Sequence, residues 1–377
     1  MKPPYRGLTW DHPRGYAALQ AAAERHPLID WDTHSLEGFE AAPIAKLCAD
    51  YDLVVLDHPH LGEALAQHCL QPLDAIFDRT DLARIAADSI GRAYESYTLA
   101  GRQWALPLDA ATQVMASRPD LLDAEPPADW STVCALSART GKVAMSLAGP
   151  HAFLSFLSIA ASLDPALDLR DGDRWHTDAI ATEACALLAK LASGSPASVR
   201  DKNPIGLLAH MTTHDNVALC PLVYGYVNYA SATLAHPLSF HDAPAAAPGV
   251  PGSILGGTGI ALSRRCKVDD ALRAHLLWLM SPSTQTAFIP AHEGQPSHRQ
   301  SWIHPSADMP SPGFYRQTLR TLQAAAIRPR HAGYIAFQEQ ASALLRDKLP
   351  TDERPADVAR ALARLYANSH TPGALSA

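Results

Sequence analysis

Polar and aromatic side chains that could hold a small molecule lie at the end of the first predicted strand. Residues 5–10 form a short, partly apolar run that leads into Thr9-Trp10-Asp11-His12 and then into an alanine-rich segment from Ala17. This order indicates strand, loop and helix. Ligands of open α/β sheets bind outside the carboxyl ends of the strands. We therefore predict that Thr9, Trp10, Asp11 and His12 contact a ligand.

Three of these residues also have a structural interpretation, which the sequence leaves open. A large ring at a strand end commonly packs in a core, so Trp10 is also a candidate packing residue. Aspartate is a favoured N-cap, and Asp11 would cap the helix that begins near Arg14. His12 precedes Pro13 and is equally suited to a turn.

Further candidate ligand residues follow other predicted strands. The run 51–56 is almost continuously apolar, which is typical of a parallel strand covered on both faces, and His58 comes directly after it. Tyr224 and Tyr226 follow a predicted buried strand at 217–223. If that segment stays extended, these two rings share a face and Tyr229 lies opposite. The predicted site is completed by Asp109, Asn228, Glu293 and Gln295.

The residue types in this set suit a small polar organic molecule. Aromatic rings offer flat faces on which a sugar ring stacks, and carboxylates and amides bind hydroxyl or amine groups. A sugar or polyol is the favoured ligand. An organic acid is the next interpretation, because Arg6, Arg14 and Arg102 could neutralise a carboxylate.

Composition and charge exclude several other functions. The net charge of −7 and the absence of a basic run argue against nucleic acid as a partner. No apolar stretch approaches the roughly 20 residues of a transmembrane helix. The six cysteines are scattered singly, as small apolar residues in a reducing compartment often are. His210 and His214 have helical spacing but no HExxH glutamate, so we predict neither metal nor cofactor.

Enzyme motifs are missing from the chain. The run 256–259 is neither a phosphate loop nor a dinucleotide fingerprint, and no GxSxG nucleophile motif is present. Cys220 before Pro221 is a candidate nucleophile, but the sequence provides no base beside it. We therefore predict a binding protein without catalysis. Two alternatives stay open: an enzyme with the same fold as such a binding protein, and a cytosolic ligand sensor.

The chain is long enough for two α/β lobes, since 377 residues exceed what one core usually serves. A proline-marked strand from 101 to 115 predicts one crossing between lobes, and the loop at 243–252 a second. We predict lobe 1 at 1–108 and 243–310, and lobe 2 at 109–242 and 311–377. Local patterns further predict single helices at 36–49 and 81–97, a strand at 143–147, and Ser311 as the cap of a later helix.

Several separated segments resemble one protein family. Gly101-Arg102-Gln103-Trp104-Ala105-Leu106-Pro107-Leu108 resembles the crossing strand of maltose-type extracellular solute-binding proteins of ABC importers. Residues 256–263 resemble the glycine-rich return strand of that family, 268–290 its helix pair, and 294–297 the loop that follows. The resemblance covers most of the chain in order.

This resemblance implies a type II periplasmic-binding-protein-like fold, in which each lobe is a mostly parallel sheet flanked by helices and further helices close the C-terminus. The ligand would lie in a cleft between the lobes and be captured by hinge closure. Membrane subunits of an ABC transporter would be the partners, and we expect a monomer.

The N-terminus gives an expectation about location. Residues 1–4 lead directly into the first strand without the charged end, apolar core and cleavage site of a secretory signal. The sequence as given therefore predicts a cytoplasmic protein, or a periplasmic one, as is the family norm, if a leader has been removed.

Overall fold

The structure is a computed structural model that describes residues 4–169, 177–246, 249–304 and 311–370. The chain divides into two compact units. Unit 1 comprises Met1–Ala110, Gly256–Pro310 and Arg330–Ala332, and unit 2 comprises Ala111–Leu255, Ser311–Pro329 and Gly333–Ala377.

The strands within the described ranges are β1 (Tyr5–Trp10), β2 (Ile29–His34), β3 (Leu53–Leu56), β4 (Thr98–Leu99), β5 (Arg102–Gln103), β6 (Ala105–Ser117), β7 (Leu219–Tyr224), β8 (Ser239–His241) and β9 (Leu255–Leu262). The chain passes from unit 1 to unit 2 within β6 and returns at the start of β9.

The first helices are α1 (Pro13–Arg25), α2 (Leu36–Ala41), α3 (Ile44–Asp50), α4 (Leu61–Ala66), α5 (Arg79–Asp88), α6 (Ala93–Ser96), α7 (Trp130–Thr140) and α8 (His151–Leu163). The later helices are α9 (Asp178–Gly194), α10 (Pro204–Met211), α11 (Asp270–Leu279), α12 (Ile289–Ala291), α13 (Arg299–Ile303), α14 (Phe314–Ala324), α15 (Tyr334–Lys348) and α16 (Pro355–Ser369).

Unit 1 is built on a sheet in the order β2-β1-β3-β9. Strand β1 pairs in parallel with β2 on one side and with β3 on the other. Strand β9 pairs antiparallel with β3. Because β1 and β3 run in the same direction, the loops that follow Trp10 and Leu56 leave the same edge of the sheet.

Strand β3 is packed on both faces by apolar side chains of unit 1. Its side chains alternate between two apolar clusters: Leu53 and Val55 face one, and Val54 and Leu56 face the other. All four residues are buried. The continuous apolar run predicted a strand covered on both faces, and the structure confirms it.

Unit 2 has a helical core around α8. Nearly every residue of α8 is buried, so its apolar character on all sides reflects an interior helix. It packs against α9 and α15, and α16 packs against both of these. The second half of β6 pairs antiparallel with β7 and β8. The predicted two-unit α/β class with C-terminal helices is confirmed, although β6 pairs antiparallel with both β7 and β8.

Local corrections to the predicted elements have clear causes. The predicted helix at 36–49 is two helices, because Pro43 stands at the start of α3. The predicted helix at 81–97 is also two, separated by Gly91 with φ of 52°. The predicted strand at 143–147 is only a bridge from Val143 to Leu219, since Ser195 Oγ binds the Met145 N–H.

Two further corrections concern the later part of the chain. Ser311 does not cap α14; its hydroxyl donates to the Val227 carbonyl, and Gly313 stands at the cap. The predicted boundary at 243 lies too early, because residues up to Leu255 belong to unit 2. There, Ala243 N–H donates to Thr321 Oγ1, and a Cβ on Gly252 would lie 2.0 Å from the Ser162 backbone nitrogen.

Candidate functional site

The loop between β1 and α1 is fixed by its own hydrogen bonds. Thr9 is fully buried, and its hydroxyl donates to the Gly15 carbonyl at 2.9 Å. This bond ties the end of β1 to the first turn of α1. Thr9 therefore positions the loop through this hydrogen bond. Asp11, also predicted in this loop, is exposed.

Trp10 lies in the core of unit 1. Its ring packs against Phe39 with centroids 5.4 Å apart, and a Cβ on Gly15 would come within 2.4 Å of it. The Arg14 guanidinium carbon lies 5.9 Å from the ring centroid. The indole Nε1 is buried and has no hydrogen-bond partner among the described protein residues. The packing interpretation of Trp10 is therefore correct, and one polar atom of the ring remains for another group.

His12, not Asp11, caps α1. Its Nδ1 accepts a hydrogen bond from the Arg14 N–H at 3.1 Å, in the extended conformation typical of an N-cap. Burial, and to a lesser extent the Arg14 guanidinium, lowers the pKa of His12 to about 4. The imidazole is therefore neutral at pH 7, as its role as acceptor requires.

Asp109 forms a buried ion pair with Arg14. Arg14 Nε and Nη2 donate to the two carboxylate oxygens at 2.8 and 2.5 Å, and both side chains are 4% exposed. Such a bidentate pair is among the strongest polar contacts in proteins. Burial raises the pKa of Asp109 and Arg14 opposes this, while the Asp57 carboxylate raises the pKa further.

The loop after α12 supports the same strand. The backbones of Asp109 and Pro296 form an isolated antiparallel β-bridge. The Ala110 N–H donates to the Gln295 carbonyl at 3.2 Å. The Gln295 amide in turn donates to the Ala110 carbonyl at 3.1 Å. Glu293 is exposed and has φ of 64°, a left-handed conformation at the turn. The structure thus brings Gln295 next to Asp109 and leaves the Glu293 side chain at the surface.

His58 is fully buried at the end of β3. Its N–H and its Nδ1 both lie near Asp57 Oδ1, at 2.8 and 3.1 Å, and its ring meets Tyr97 edge-on at 6.3 Å. Asp57 is also one of the charges that acts on Asp109. Three of the predicted residues of unit 1, Trp10, Asp109 and His58, are therefore connected electrostatically through Arg14 and Asp57.

Tyr224 ends β7 in unit 2 and faces His151. The two rings meet edge-on with centroids 6.0 Å apart, and His151 is buried at the start of α8. His151 is not among the ligand residues predicted from the sequence, although it ends the Gly149-Pro150-His151 turn ahead of an apolar helix. That turn was the available signal.

The arrangement predicted for the other tyrosines is wrong. Tyr226 and Tyr229 are ring partners with centroids 6.4 Å apart. The segment is not extended, because a 3₁₀ turn at Val227–Ala230 follows β7 and brings the second ring back toward the first. Tyr229 Oη donates to the Ile205 carbonyl, Tyr226 is buried, and Asn228 is half-buried on this turn.

The structure argues against chemistry at Cys220. The thiol is fully buried, donates to the Leu222 carbonyl at 3.4 Å, and has its pKa raised by burial to about 12. Such a thiol is inert. The described residues also contain no group of three or more metal-ligating side chains. His210 stacks on His214 at 4.0 Å and its Nε2 lies 2.7 Å from Asn216 Oδ1.

A separate groove lies on the surface of unit 2. It has a volume of about 1680 Å³, and its lining includes Asp129, Trp130, Glu183, His241 and Arg320. None of the predicted site residues lines it.

Every helix in the described part of the chain is too short or too polar to cross a lipid bilayer.

Two α/β units, each with aromatic and polar side chains at strand ends, define the class as a two-lobed α/β protein. Residues 39–296, more than half of the chain, match the family model described as bacterial extracellular solute-binding protein. The chain therefore belongs to this family, whose members bind small-molecule solutes and work with the membrane components of ABC transporters. No curated protein sequence matches the chain significantly.

Several solved structures share the fold of this chain. One is an ABC transporter solute-binding protein from Agrobacterium radiobacter K84 in complex with ribitol, with a TM-score of 0.77 and 16% identity over 96% of this chain and 97% of that one. Another is a maltose-bound protein from T. maritima, with a TM-score of 0.78 and 15% identity over 96% and 98%. A third, from Thermotoga lettingae with bound α-D-tagatose, has a TM-score of 0.79 and 13% identity over 97% and 99%.

Proposed function

We propose that this chain captures a sugar or polyol and delivers it to the membrane subunits of an ABC importer. The observation that carries the choice of ligand is the state of three arginines. Arg6, Arg14 and Arg102, which an organic acid would need, each pair with a carboxylate of the chain itself: Asp32 at 2.9 Å, Asp109 at 2.5 Å and Asp74 at 2.7 Å. A neutral ligand with many hydroxyl groups requires none of these pairs to break.

The aromatic side chains support the same ligand class. Trp10 offers a buried indole N–H in unit 1, and Tyr224 and Tyr226 supply rings in unit 2. Sugars and polyols are recognised by such a combination of apolar ring faces and hydrogen-bond donors. The complexes with ribitol, maltose and α-D-tagatose among proteins of the same fold agree with this proposal.

Three further parts of the proposal follow from the family. The chain acts outside the cytoplasm, as the extracellular description of its family suggests. It acts as a monomer. Residues of both units contact the solute, and hinge closure accompanies capture, which a fall in the radius of gyration on addition of ligand would support.

A titration with defined compounds tests the ligand class. Thermal unfolding of the chain is measured with ribitol, D-mannitol, tagatose or maltose, and in parallel with citrate, malate and benzoate. A ligand that binds only the folded state at 100 times its dissociation constant stabilises it by about 2.7 kcal/mol. We expect such a shift with at least one neutral compound. Stabilisation by the acids alone would reject the sugar or polyol and favour the organic acid.

A second measurement separates binding from the enzyme alternative. The stabilising compound is incubated with the protein and recovered, and its mass is compared with that of the starting material. An unchanged mass is expected, because no activated nucleophile was found at Cys220. Conversion of the compound would contradict a role limited to binding.

A further inference from the structure

Gln113 is a polar residue in the interior of unit 2. It lies on β6, just after the chain enters this unit, and it is fully buried. Met115, two residues further along the strand, packs in the apolar cluster that contains α8, so the Gln113 side chain points to the same face of β6. An amide buried without hydrogen bonds is costly. Its partners therefore decide what Gln113 contributes.

Both ends of the Gln113 amide bind serines of α8. Ser158 Oγ donates to Gln113 Oε1 at 2.7 Å, and Gln113 Nε2 donates to Ser155 Oγ at 3.4 Å. Ser155 Oγ donates in turn to the Ser146 carbonyl at 3.1 Å. All of these residues are fully buried. A buried polar network with its partners in place makes the surrounding structure rigid, so the amide fixes α8 against β6.

The same residue is connected to the candidate solute residues of unit 2. Gln113 pairs with Tyr224 across β6 and β7. His151 lies one turn before Ser155 on the same face of α8, and its ring meets that of Tyr224 at 6.0 Å. Gln113 therefore holds Tyr224 through the backbone and His151 through Ser155.

Gln113 also binds the segment through which the chain leaves unit 2. Ser253 Oγ donates to the Gln113 carbonyl at 2.7 Å, and the Ile254 N–H donates to Ser158 Oγ at 3.3 Å. Unit 2 ends at Leu255, and the chain then enters unit 1. The strand that enters unit 2, the segment that leaves it and α8 therefore meet at Gln113.

We propose that Gln113 is a positioning residue for solute capture. It fixes the rings of Tyr224 and His151 to the two segments by which the chain enters and leaves unit 2. Its own side chain is fully buried, so it acts through these rings. This inference rests on the proposed function, because it takes the two rings as contacts of the solute.

Two variants remove the hydrogen bonds, and a third is the control. Gln113→Leu keeps the approximate size of the side chain and removes both bonds to α8, whereas Ser158→Ala removes one of them. Ser162→Ala is the matched control. Ser162 lies on the same face of α8, but its hydroxyl binds Trp130 Nε1 and the Ile159 carbonyl.

Solute affinity separates positioning from a purely structural role. The probe is whichever of ribitol, D-mannitol, tagatose and maltose stabilises wild type most, titrated calorimetrically at a temperature at which every variant is folded. We expect Gln113→Leu and Ser158→Ala to weaken binding about 3- to 10-fold, the effect of one hydrogen bond. Ser162→Ala should lower the Tm without changing affinity. Unchanged affinity of Gln113→Leu would overturn the inference and leave the proposed function standing, whereas a wild type that binds none of the compounds would reject the proposed function.

Hydrogen exchange tests the same contacts without any solute. In mass spectrometry, Gln113→Leu should accelerate exchange together in the peptides that contain His151, Tyr224 and Ile254. Ser162→Ala should not accelerate all three. Faster exchange in only one of these peptides, or in none, would show that Gln113 does not connect them. If Gln113→Leu fails to fold, Ser158→Ala is compared with the control in the same way.

Discussion

Arg14 and Asp109 form a bidentate ion pair across 95 residues of sequence, with N···O distances of 2.8 and 2.5 Å. The pair joins the loop after β1 to β6. Both partners are 4% exposed, so water screens neither charge. The position of the first predicted ligand loop therefore depends on a contact with a distant strand.

Removing the carboxylate of this pair should strongly destabilise the protein. Asp109→Asn keeps the shape of the side chain but leaves the Arg14 guanidinium buried without its counter-charge. Breaking a buried pair in this way costs about 3–5 kcal/mol. We expect a loss of this size in the free energy of unfolding, measured by urea titration at pH 7.

An exposed pair in the same unit provides the control. Arg6 and Asp32 lie 2.9 Å apart, but their side chains are 44% and 48% exposed. Asp32→Asn should change the free energy of unfolding much less than Asp109→Asn does, because water screens both charges of this pair. Equal losses in the two variants would show that burial of the Arg14–Asp109 pair has no energetic consequence.

Gly15 permits the close approach of α1 to Trp10. A Cβ at this position would lie 2.4 Å from the indole ring, so Gly15→Ala must displace the ring or the helix. Overpacking of this kind costs about 1–3 kcal/mol. Gly206→Ala is the matched control, because Gly206 is also helical and its nearest contact would be 3.4 Å. In thermal unfolding, we expect a lower Tm for Gly15→Ala only; equal Tm values would contradict the steric argument.

The parts of the fold that follow from local pattern were predictable. The unbroken apolar run of β3 and the strand-loop-helix order at Trp10 each identified an element and the end of the sheet at which the loop emerges. Membership in the solute-binding family was also predictable, since it depends on short segments that keep their order along the chain.

The contacts within the site were not predictable for physical reasons. Asp11 and His12 are both possible caps, and only the backbone conformation at residue 12 selects the imidazole. The Arg14–Asp109 pair joins residues too far apart for any local pattern to connect. Tyr226 and Tyr229 were placed on opposite faces by assuming an extended chain, whereas a 3₁₀ turn brings their rings together.

His12 should make stability depend on pH. Its folded pKa of about 4 lies below the ordinary value of 6.5, so between these values the unfolded chain binds more protons than the folded one. The free energy of unfolding should therefore fall as pH decreases from about 6.5 to 4, by up to about 1.4 kcal/mol per unit from this residue.

His12→Asn isolates this contribution. Asparagine is also a favoured N-cap, so the helix start is preserved while the titrating group is removed. We expect urea unfolding between pH 4 and 7 to show a shallower pH dependence for the variant than for wild type. His275, whose pKa burial also lowers to about 4, is retained in both proteins and does not affect the comparison. Identical slopes would mean that His12 does not titrate in this range.

The indole N–H of Trp10 should contribute to solute affinity. Both Trp10 and Trp31 lie in unit 1, and each has a buried Nε1 without a hydrogen-bond partner among the described residues. Of the two, only Trp10 is the last residue of its strand, at the predicted ligand edge; Trp31 is inside β2. Trp10→Phe should therefore weaken binding of the sugar or polyol about 3- to 10-fold, the effect of one neutral hydrogen bond, in isothermal titration. Trp31→Phe is the control with unchanged affinity, and equal losses in both variants would place the Trp10 N–H outside the binding site.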